Sequence, residues 1–312
     1  MSKKMMKAIC KLPGEDFPRL VERPIPEVGP NDVLVKVAYA GICKTDLKVA
    51  RGELPCNPSG VVLGHEFSGV VVGCGKSINP DIVIERCVSA NPMLDNDSDR
   101  MIGKDIDGCF AEYVAVPFKN LVNLYHDDMK VNAYMEPIAA ALAVAQALEI
   151  HYSPKSTVIA GDPEDRIAKL TALCYAFRFC LKQPIPIVPP EKLVVDHDIG
   201  KSGYDCIVEC CPTWAGRLLK CLNHGGTLVL KSRGYCDMTG VVVNDIVMRE
   251  LKIVGAKYAA AMDDDIKDFI YRHNTELKKM IDDKDYKLEE FADALKAASK
   301  PDAKKVMFKC VQ

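Results

Sequence analysis

The sequence lacks several features that mark special classes of protein. It has no excess of one charge, because 41 basic residues stand against 43 acidic ones, so its charge favours neither a nucleic acid nor an anionic membrane as partner. It has no apolar run of the roughly 20 residues that cross a bilayer, since its most apolar helix-like segment spans only residues 138–150. The opening residues, MSKKMMKAIC, lack the apolar stretch of a secretory signal. We therefore expect no nucleic-acid partner and no membrane partner.

The sequence also lacks a disulfide or metal framework built from paired cysteines. It has 14 cysteines but no C-x-x-C pair, and Cys210 and Cys211 are adjacent, a spacing that does not favour a structural disulfide. Several cysteines lie in apolar runs, where a free thiol behaves as a small hydrophobic side chain. This usage predicts a reducing compartment and therefore a cytoplasmic protein.

The chain is long enough for two domains, and its two halves have different patterns. Up to about residue 136 the text is β-like: DVLVKVAYAGI alternates apolar and polar residues, and SGVVLGHEFSGVVVGCG is valine-rich with regular glycines. Such glycines are typical of a small, curved, barrel-like β domain. From about residue 138 short apolar strands alternate with helices, which predicts an α/β domain with a doubly wound parallel sheet. The final strand-like segment, KVMFKC, fits either domain.

Four polar side chains interrupt the structural pattern in the first half of the chain. They are Cys43 in GICKTD, His65 and Glu66 in GHEF, and Glu136 in MEP. A thiolate, an imidazole and carboxylates are zinc ligand types, and a catalytic site keeps one coordination position open. The alternative is that the thiol and the imidazole are buried packing residues and that the carboxylates are exposed or lie at a helix N-terminus.

These motifs carry a resemblance to a known family. The segments AGICKTDLKVARG, GHEFSGVVVGCG, DGCFAEYVAVP, MEPIAAAL and GGTLVLKS follow one another in the order typical of the medium-chain dehydrogenase/reductase family. The chain resembles in particular its zinc-dependent alcohol, polyol and threonine dehydrogenase branch. This resemblance implies a GroES-like β-barrel domain at residues 1–137, a degenerate Rossmann-type nucleotide-binding domain at 138–280, and a return to the first domain at 281–312.

The resemblance also implies roles for individual residues. The zinc ligands would be Cys43, His65 and Glu66, with Glu136 coordinating directly or through water. Thr45 would relay the substrate proton, and Asp46 would orient the histidine from behind. Relatives that carry a second, structural zinc hold it with four cysteines, but this chain has no cysteine between Cys87 and Cys109. We therefore expect one catalytic zinc and no structural zinc.

The dinucleotide fingerprint is the poorest match. In TVIAGDPEDRIAKL only Gly161 remains of the G-x-G-x-x-G pattern, because Pro163 and Arg166 occupy the other two glycine positions. Three acidic residues of the same turn oppose a diphosphate unless Arg166 compensates them. The alternative is that GDPED is only a helix start, with the proline in the first turn and the acids complementing the helix dipole.

Two further segments bear on the cofactor. After the second strand the text is IVPPEKL, so the nearest acid for a ribose hydroxyl is Glu191. The connection from there to YDCIVECC is too short for a full helix and strand. By contrast, GGTLVLKS, which contains Lys231, resembles a strand that flanks the nicotinamide. The candidate cofactor residues are Gly161, Arg166, Glu191 and Lys231, and we expect loose binding.

The sequence therefore predicts a zinc-dependent oxidoreductase that transfers hydride between a small alcohol, polyol or carbonyl compound and NAD or NADP. By the same resemblance it would be a homodimer or homotetramer. Two alternatives stay open: a non-redox binding or regulatory protein on the same scaffold, and a zinc enzyme with a non-redox reaction such as elimination or hydration.

Overall fold

The fold was analysed in a computed structural model, which describes residues 4–95, 100–125, 128–149, 156–193, 203–211, 213–231, 236–256 and 263–311. The strands are β1 Met5–Lys11, β2 Arg19–Pro24, β3 Asp32–Gly41, β4 Val61–Val62, β5 Glu66–Cys74, β6 Cys87–Ala90, β7 Tyr113–Pro117, β8 Leu121–Asn123, β9 Thr157–Ala160, β10 Ile187–Val188, β11 Tyr204–Glu209, β12 Thr213–Trp214, β13 Leu222–Leu230, β14 Cys236–Asp237, β15 Lys252–Gly255, β16 Ile281–Tyr286 and β17 Lys305–Lys309. The helices are α1 Lys44–Ala50, α2 Met129–Asn132, α3 Met135–Glu149, α4 Arg166–Arg178, α5 Ala215–Lys220, α6 Val243–Met248, α7 Asp263–Arg272, α8 Asn274–Met280 and α9 Phe291–Ala298.

The chain divides into two compact units. Unit 1 comprises Met1–Glu136 and Asp263–Gln312, and unit 2 comprises Pro137–Met262. The family resemblance predicts a return to the first domain at residue 281. In the structure α7 already belongs to unit 1, because its buried residues Ile266, Phe269 and Ile270 pack there beside β8.

Unit 1 is built on two sheets. One has the strand order β2-β1-β4, and the other has the order β16-β17-β3-β5-β6-β8, with β7 paired to the first half of β3. Alternation explains β3, in which Val33, Val35 and Val37 are buried and Lys36 is exposed. Phe110 and Phe308 meet edge to face in the core, with ring centroids 4.9 Å apart. This is the curved β architecture that the sequence predicts.

The C-terminal strand resolves an alternative that the sequence pattern leaves open. β17 pairs antiparallel with β3, Met307 facing Gly41, and it pairs parallel with β16. The tail therefore joins the sheet of unit 1 and not the parallel sheet of unit 2. β17 begins beside the end of β3, where the candidate metal ligands begin.

Unit 2 is a parallel sheet with helices on both faces. The strand order is β10-β9-β11-β13-β15, and every pairing is parallel. The strands are continuous apolar runs, such as Val158–Ala160, because both faces are covered. The predicted fold class, a GroES-like β domain with a Rossmann-type parallel sheet, is confirmed. The short connection after Lys192 runs mostly through residues 194–202, which lie outside the described residues.

Candidate functional site

Three candidate metal ligands come together at one end of the large sheet of unit 1. The ligand atoms of Cys43, His65 and Glu66 all lie within 4.8 Å of one another. The register explains this meeting, because the last residue of β3, Gly41, pairs with Glu66 at the start of β5. Cys43 then follows β3 by two residues and caps α1. The separated sequence motifs GICKTD and GHEF thus form one cluster.

Two glycines leave the room that this cluster needs. A Cβ on Gly41 would lie 2.6 Å from Oε2 of Glu66, so a larger residue would push the carboxylate away. Gly64, directly before His65, has a φ of 92°, and a Cβ there would lie 2.2 Å from the ring of Phe110. Only glycine meets both demands at this position without strain.

Asp46 ties two of the ligands together. Its side chain is buried, and Oδ2 accepts a hydrogen bond from the backbone N–H of Cys43 at 2.8 Å. Its Oδ1 lies 3.1 Å from Nδ1 of His65. A carboxylate there selects the tautomer with the proton on Nδ1, which leaves Nε2 as the ligand atom. Burial lowers the pKa of His65, but Asp46 and then Cys43 raise that pKa well above its ordinary value.

Glu66 has a buried partner that the sequence analysis missed. Lys305 on β17 donates to Oε2 of Glu66 and, at 3.1 Å, to the carbonyl of Ile42. Both side chains are 1% exposed. The other carboxylate oxygen, Oε1, is buried and has no hydrogen-bond partner among the residues that the structure describes. The only sequence signal was a lysine inside the apolar text KVMFKC, 239 positions away.

The remaining candidates of unit 1, Thr45 and Glu136, are not among the three clustered ligands. Thr45 is the second residue of α1 and is partly exposed. Glu136 is the second residue of α3, also partly exposed, and is not one of the three clustered ligands. The donor set fits zinc, because it combines a thiol, an imidazole whose Nδ1 faces Asp46 and a buried carboxylate oxygen without a hydrogen-bond partner among the described residues.

The turn from β9 to α4 in unit 2 is where a dinucleotide fold holds a diphosphate. Here acidic side chains accept hydrogen bonds from the backbone N–H groups of this turn. Oδ1 of Asp162 accepts the N–H of Glu164 at 2.8 Å, and Oδ1 of Asp165, the N-cap of α4, accepts the N–H of Ala168 at 2.8 Å. The helix-start interpretation needs one correction, since α4 begins at Arg166 and Pro163 therefore precedes the helix instead of lying in its first turn.

The four cofactor candidates lie along the carboxyl edge of the parallel sheet. Gly161 follows β9 and donates its N–H to Val188 at 3.0 Å, and Arg166 is the first residue of α4. Glu191 is exposed in the turn after β10. Lys231 follows β13, and its ammonium group donates to the carbonyl of Ala140 at 3.0 Å. The strand order and the carboxyl edge of the sheet are suited to a dinucleotide. The turn after β9, however, offers few free backbone N–H groups to its diphosphate.

Comparison with known proteins supports the same architecture. The family model described as the alcohol dehydrogenase GroES-like domain matches residues 29–126. An L-threonine 3-dehydrogenase from Ruegeria pomeroyi is 28% identical over 262 residues, 72% of this chain and 77% of that protein. The L-threonine 3-dehydrogenase of Bacillus subtilis is 35% identical over 179 residues, and the match spans about half of each chain, 50% of this one and 49% of the relative.

A solved structure matches almost the entire chain. A protein from Sinorhizobium meliloti, described as a zinc-binding dehydrogenase and bound to NADP, has a TM-score of 0.80 and 26% identity. The match covers 98% of this chain and 100% of that one. The likeness therefore includes both units and not only the region that the family model matches.

Proposed function

The chain belongs to the medium-chain dehydrogenase/reductase family, and we propose that it transfers hydride between a small alcohol or polyol, or the corresponding carbonyl compound, and the nicotinamide of its cofactor. It is an oxidoreductase of the zinc-dependent, NAD(P)-using kind. The observation that carries the proposal is the buried cluster of Cys43, His65 and Glu66. Nothing in the structural role of a β-barrel requires these three side chains to converge.

Cys43, His65 and Glu66 would hold the zinc. Asp46 would keep His65 in the tautomer that presents Nε2, and its bond to the N–H of Cys43 would fix the position of the thiol. Lys305 would hold Glu66 by Oε2, so that Oε1 is the oxygen left for the metal. Glu136 would act from the first turn of α3, directly or through water.

When bound, zinc supplies Lewis-acid polarisation of a substrate oxygen. The side chain that would relay the substrate proton is Thr45, which follows Cys43 by two residues and is partly exposed. In the oxidising direction its hydroxyl would take the proton of the substrate hydroxyl while passing its own proton to solvent water, and in the reducing direction the relay would run the other way. We propose a single catalytic zinc and no structural zinc.

Unit 2 would hold the cofactor along the carboxyl edge of its sheet, near Gly161, Arg166, Glu191 and Lys231. Because Asp162 and Asp165 occupy the N–H groups of Glu164 and Ala168, the diphosphate would gain fewer hydrogen bonds here than on a glycine-rich turn. Binding would therefore be loose. The non-redox alternatives are not favoured, since the relatives are dehydrogenases.

The test combines metal content with catalysis. Purified protein is expected to carry a single zinc and to reduce NAD or NADP with at least one member of a panel of small alcohols and polyols, followed by absorbance of the reduced nicotinamide. His65→Ala should abolish both, while His273→Ala, a histidine on the surface of unit 1, should change neither. A protein that is free of zinc and inactive with the entire panel would contradict the proposal.

Assembly and location complete the proposal. No helix in the described part of the chain is long and apolar enough to span a membrane. We propose a cytoplasmic homodimer or homotetramer. In support of this, none of the cysteines whose side chains are described forms a disulfide. Helix α6 leaves Val243, Val247 and Met248 exposed, which is typical of a surface that another chain covers. Light scattering of the purified protein would measure the oligomeric state.

A further inference from the structure

An arginine of unit 2 connects two parts of the carboxyl edge of the sheet. Arg217 is the third residue of α5, the short helix that follows β11. Its Nε donates to the carbonyl of Pro190 at 2.9 Å, and its Nη2 donates to the carbonyl of Glu191 at 2.8 Å. Both carbonyls belong to the turn after β10, two strands away in the sheet order. The guanidinium thus lies at the end of the second strand of the fold.

This guanidinium keeps part of its binding capacity. Arg217 is exposed, and its Nη1 makes no hydrogen bond among the contacts that the structure describes. Lys220 lies one helical turn further on, so the two cations share a helix face. Both line a cavity of about 480 Å³ together with Gly216, Thr239 and Gly240, and none of the described residues that line it is acidic.

The end of the second strand is where a dinucleotide fold distinguishes NAD from NADP. An acid there binds the ribose 2′-hydroxyl of NAD, whereas a nearby arginine accommodates the 2′-phosphate of NADP. In this chain Val188 is followed by Pro189 and Pro190, which supply neither an acid nor an N–H donor. The first acid, Glu191, comes later, and its own carbonyl accepts a bond from Arg217.

We infer that the chain selects NADP(H) over NAD(H), and that Arg217, assisted by Lys220, binds the 2′-phosphate of the adenosine ribose. The inference rests on the proposed function. It departs from the usual arrangement because the cation lies on α5, the helix that follows β11, and its side chain reaches the turn after β10. The remaining nitrogen, Nη1, suits a phosphate because a hydrogen bond from a charged donor to a charged acceptor is stronger than a neutral one.

This assignment also accounts for the acidic turn after β9. A cofactor that gains few bonds at its diphosphate still binds if a second phosphate is held elsewhere. The cations Arg217 and Lys220 supply that second contact. NAD lacks the 2′-phosphate and so has no group for them to bind.

Titration of the full-length, zinc-loaded protein with NADPH and NADH tests the inference. NADPH is expected to bind at least about tenfold tighter than NADH, the ratio that a charge-assisted bond gives. Arg217→Gln should weaken NADPH by about 10- to 100-fold and leave NADH within a factor of about three. Adenosine 2′,5′-bisphosphate and adenosine 5′-monophosphate, used as separate probes, should show the same difference.

A matched control separates recognition from structure. Arg249 also donates to two backbone carbonyls, those of Leu219 and Leu222, but lies at the other end of α5. Arg249→Gln should lower the melting temperature without changing the ratio of NADPH to NADH affinity. If Arg217→Gln does not fold, Lys220→Ala should still reduce the ratio by a few-fold.

The outcomes separate this inference from the proposed function. Binding of NADH as tight as that of NADPH, or an equal loss of both in Arg217→Gln, would overturn the inference and leave the oxidoreductase assignment in place, with Glu191 as the ribose-binding acid. Failure of the wild-type protein to bind either dinucleotide would overturn the proposed function and the inference together.

Discussion

The metal-ligand cluster of unit 1 and the turn after β9 of unit 2 use their carboxylates in opposite ways. In unit 1 the carboxylates are arranged around an open position: Asp46 and Lys305 hold the ligands His65 and Glu66, and Oε1 of Glu66 has no partner among the described residues. In unit 2 the carboxylates close the site, because Asp162 and Asp165 bond to the backbone of their own turn. The first arrangement requires a ligand to be complete, and the second does not.

This difference shows why loss of a motif and loss of a site are separate questions. A buried carboxylate oxygen without a partner is costly, so a cation bound at Oε1 of Glu66 would offset that cost. The turn after β9 of unit 2 has no such cost, because its carboxylates bond to its own backbone. Cofactor binding in unit 2 therefore depends on groups elsewhere along the carboxyl edge of the sheet. The predictions below test this contrast, beginning with the largest effect.

Cys43→Ser should remove the metal and the activity. A bound zinc contributes several kcal/mol of stabilisation in the transition state, so the rate should fall by about three orders of magnitude. Zinc content and the rate of nicotinamide reduction are the measurements. Cys56→Ser is the control, because Cys56 is a free thiol of unit 1 outside the cluster. A Cys43→Ser protein that kept zinc and rate would contradict the site.

Lys305→Met should strongly destabilise the zinc-free protein. It leaves the Glu66 carboxylate buried without its partner, and breaking such a pair costs about 3 kcal/mol or more. The free energy of unfolding in urea, measured with and without zinc, gives the effect, which should be smaller in the loaded protein because the metal then compensates the charge. The double variant Lys305→Met with Glu66→Gln should recover most of the lost free energy of unfolding. Equal stability of the wild type and Lys305→Met would show that the ion pair does not stabilise the zinc-free protein.

The sequence could predict the parts of this site that are local. Cys43 with Asp46, and His65 with Glu66, are short motifs, and the fold class followed from the change of hydrophobic period near residue 137. The sequence could not predict Lys305, because its pairing with Glu66 depends on the register of β17 against β3. Arg217 was missed for the same reason, since only the folded sheet brings α5 to the turn after β10.

Asp46→Asn should weaken zinc binding by about 10- to 100-fold, the usual effect of losing a side chain that orients a ligand. An amide has a single acceptor oxygen, so it cannot serve both Cys43 and His65. Competition with a chelating dye measures the affinity. Asp105→Asn provides the control, because Asp105 also accepts a backbone N–H, that of Met101, away from the cluster. Similar affinities in all three proteins would argue against a positioning role for Asp46.

Asp165→Ala tests the closed turn of unit 2. Removal of the N-cap of α4 should cost about 1 kcal/mol of stability. It should also free the N–H of Ala168 and remove a negative charge, so that NADPH binds a few-fold tighter. Asp264→Ala, at an exposed position on α7, should leave both quantities unchanged. A loss of stability without a gain in affinity would show that the turn does not face the cofactor.

Thiol alkylation gives the smallest effect and compares one residue type in both units. Burial raises the pKa of Cys206 and of Cys210 to about 12, so these thiols stay protonated at mildly alkaline pH, and only the thiolate reacts. Mass spectrometry after iodoacetamide should therefore find them unmodified with or without zinc, whereas the exposed Cys180 is modified in both cases. Cys43 should react only after a chelator has removed the metal. Removing zinc should therefore change the reactivity of a thiol in unit 1 and of none in unit 2. Modification of Cys210 after chelation would contradict this and show that the metal in unit 1 affects the thiols of unit 2.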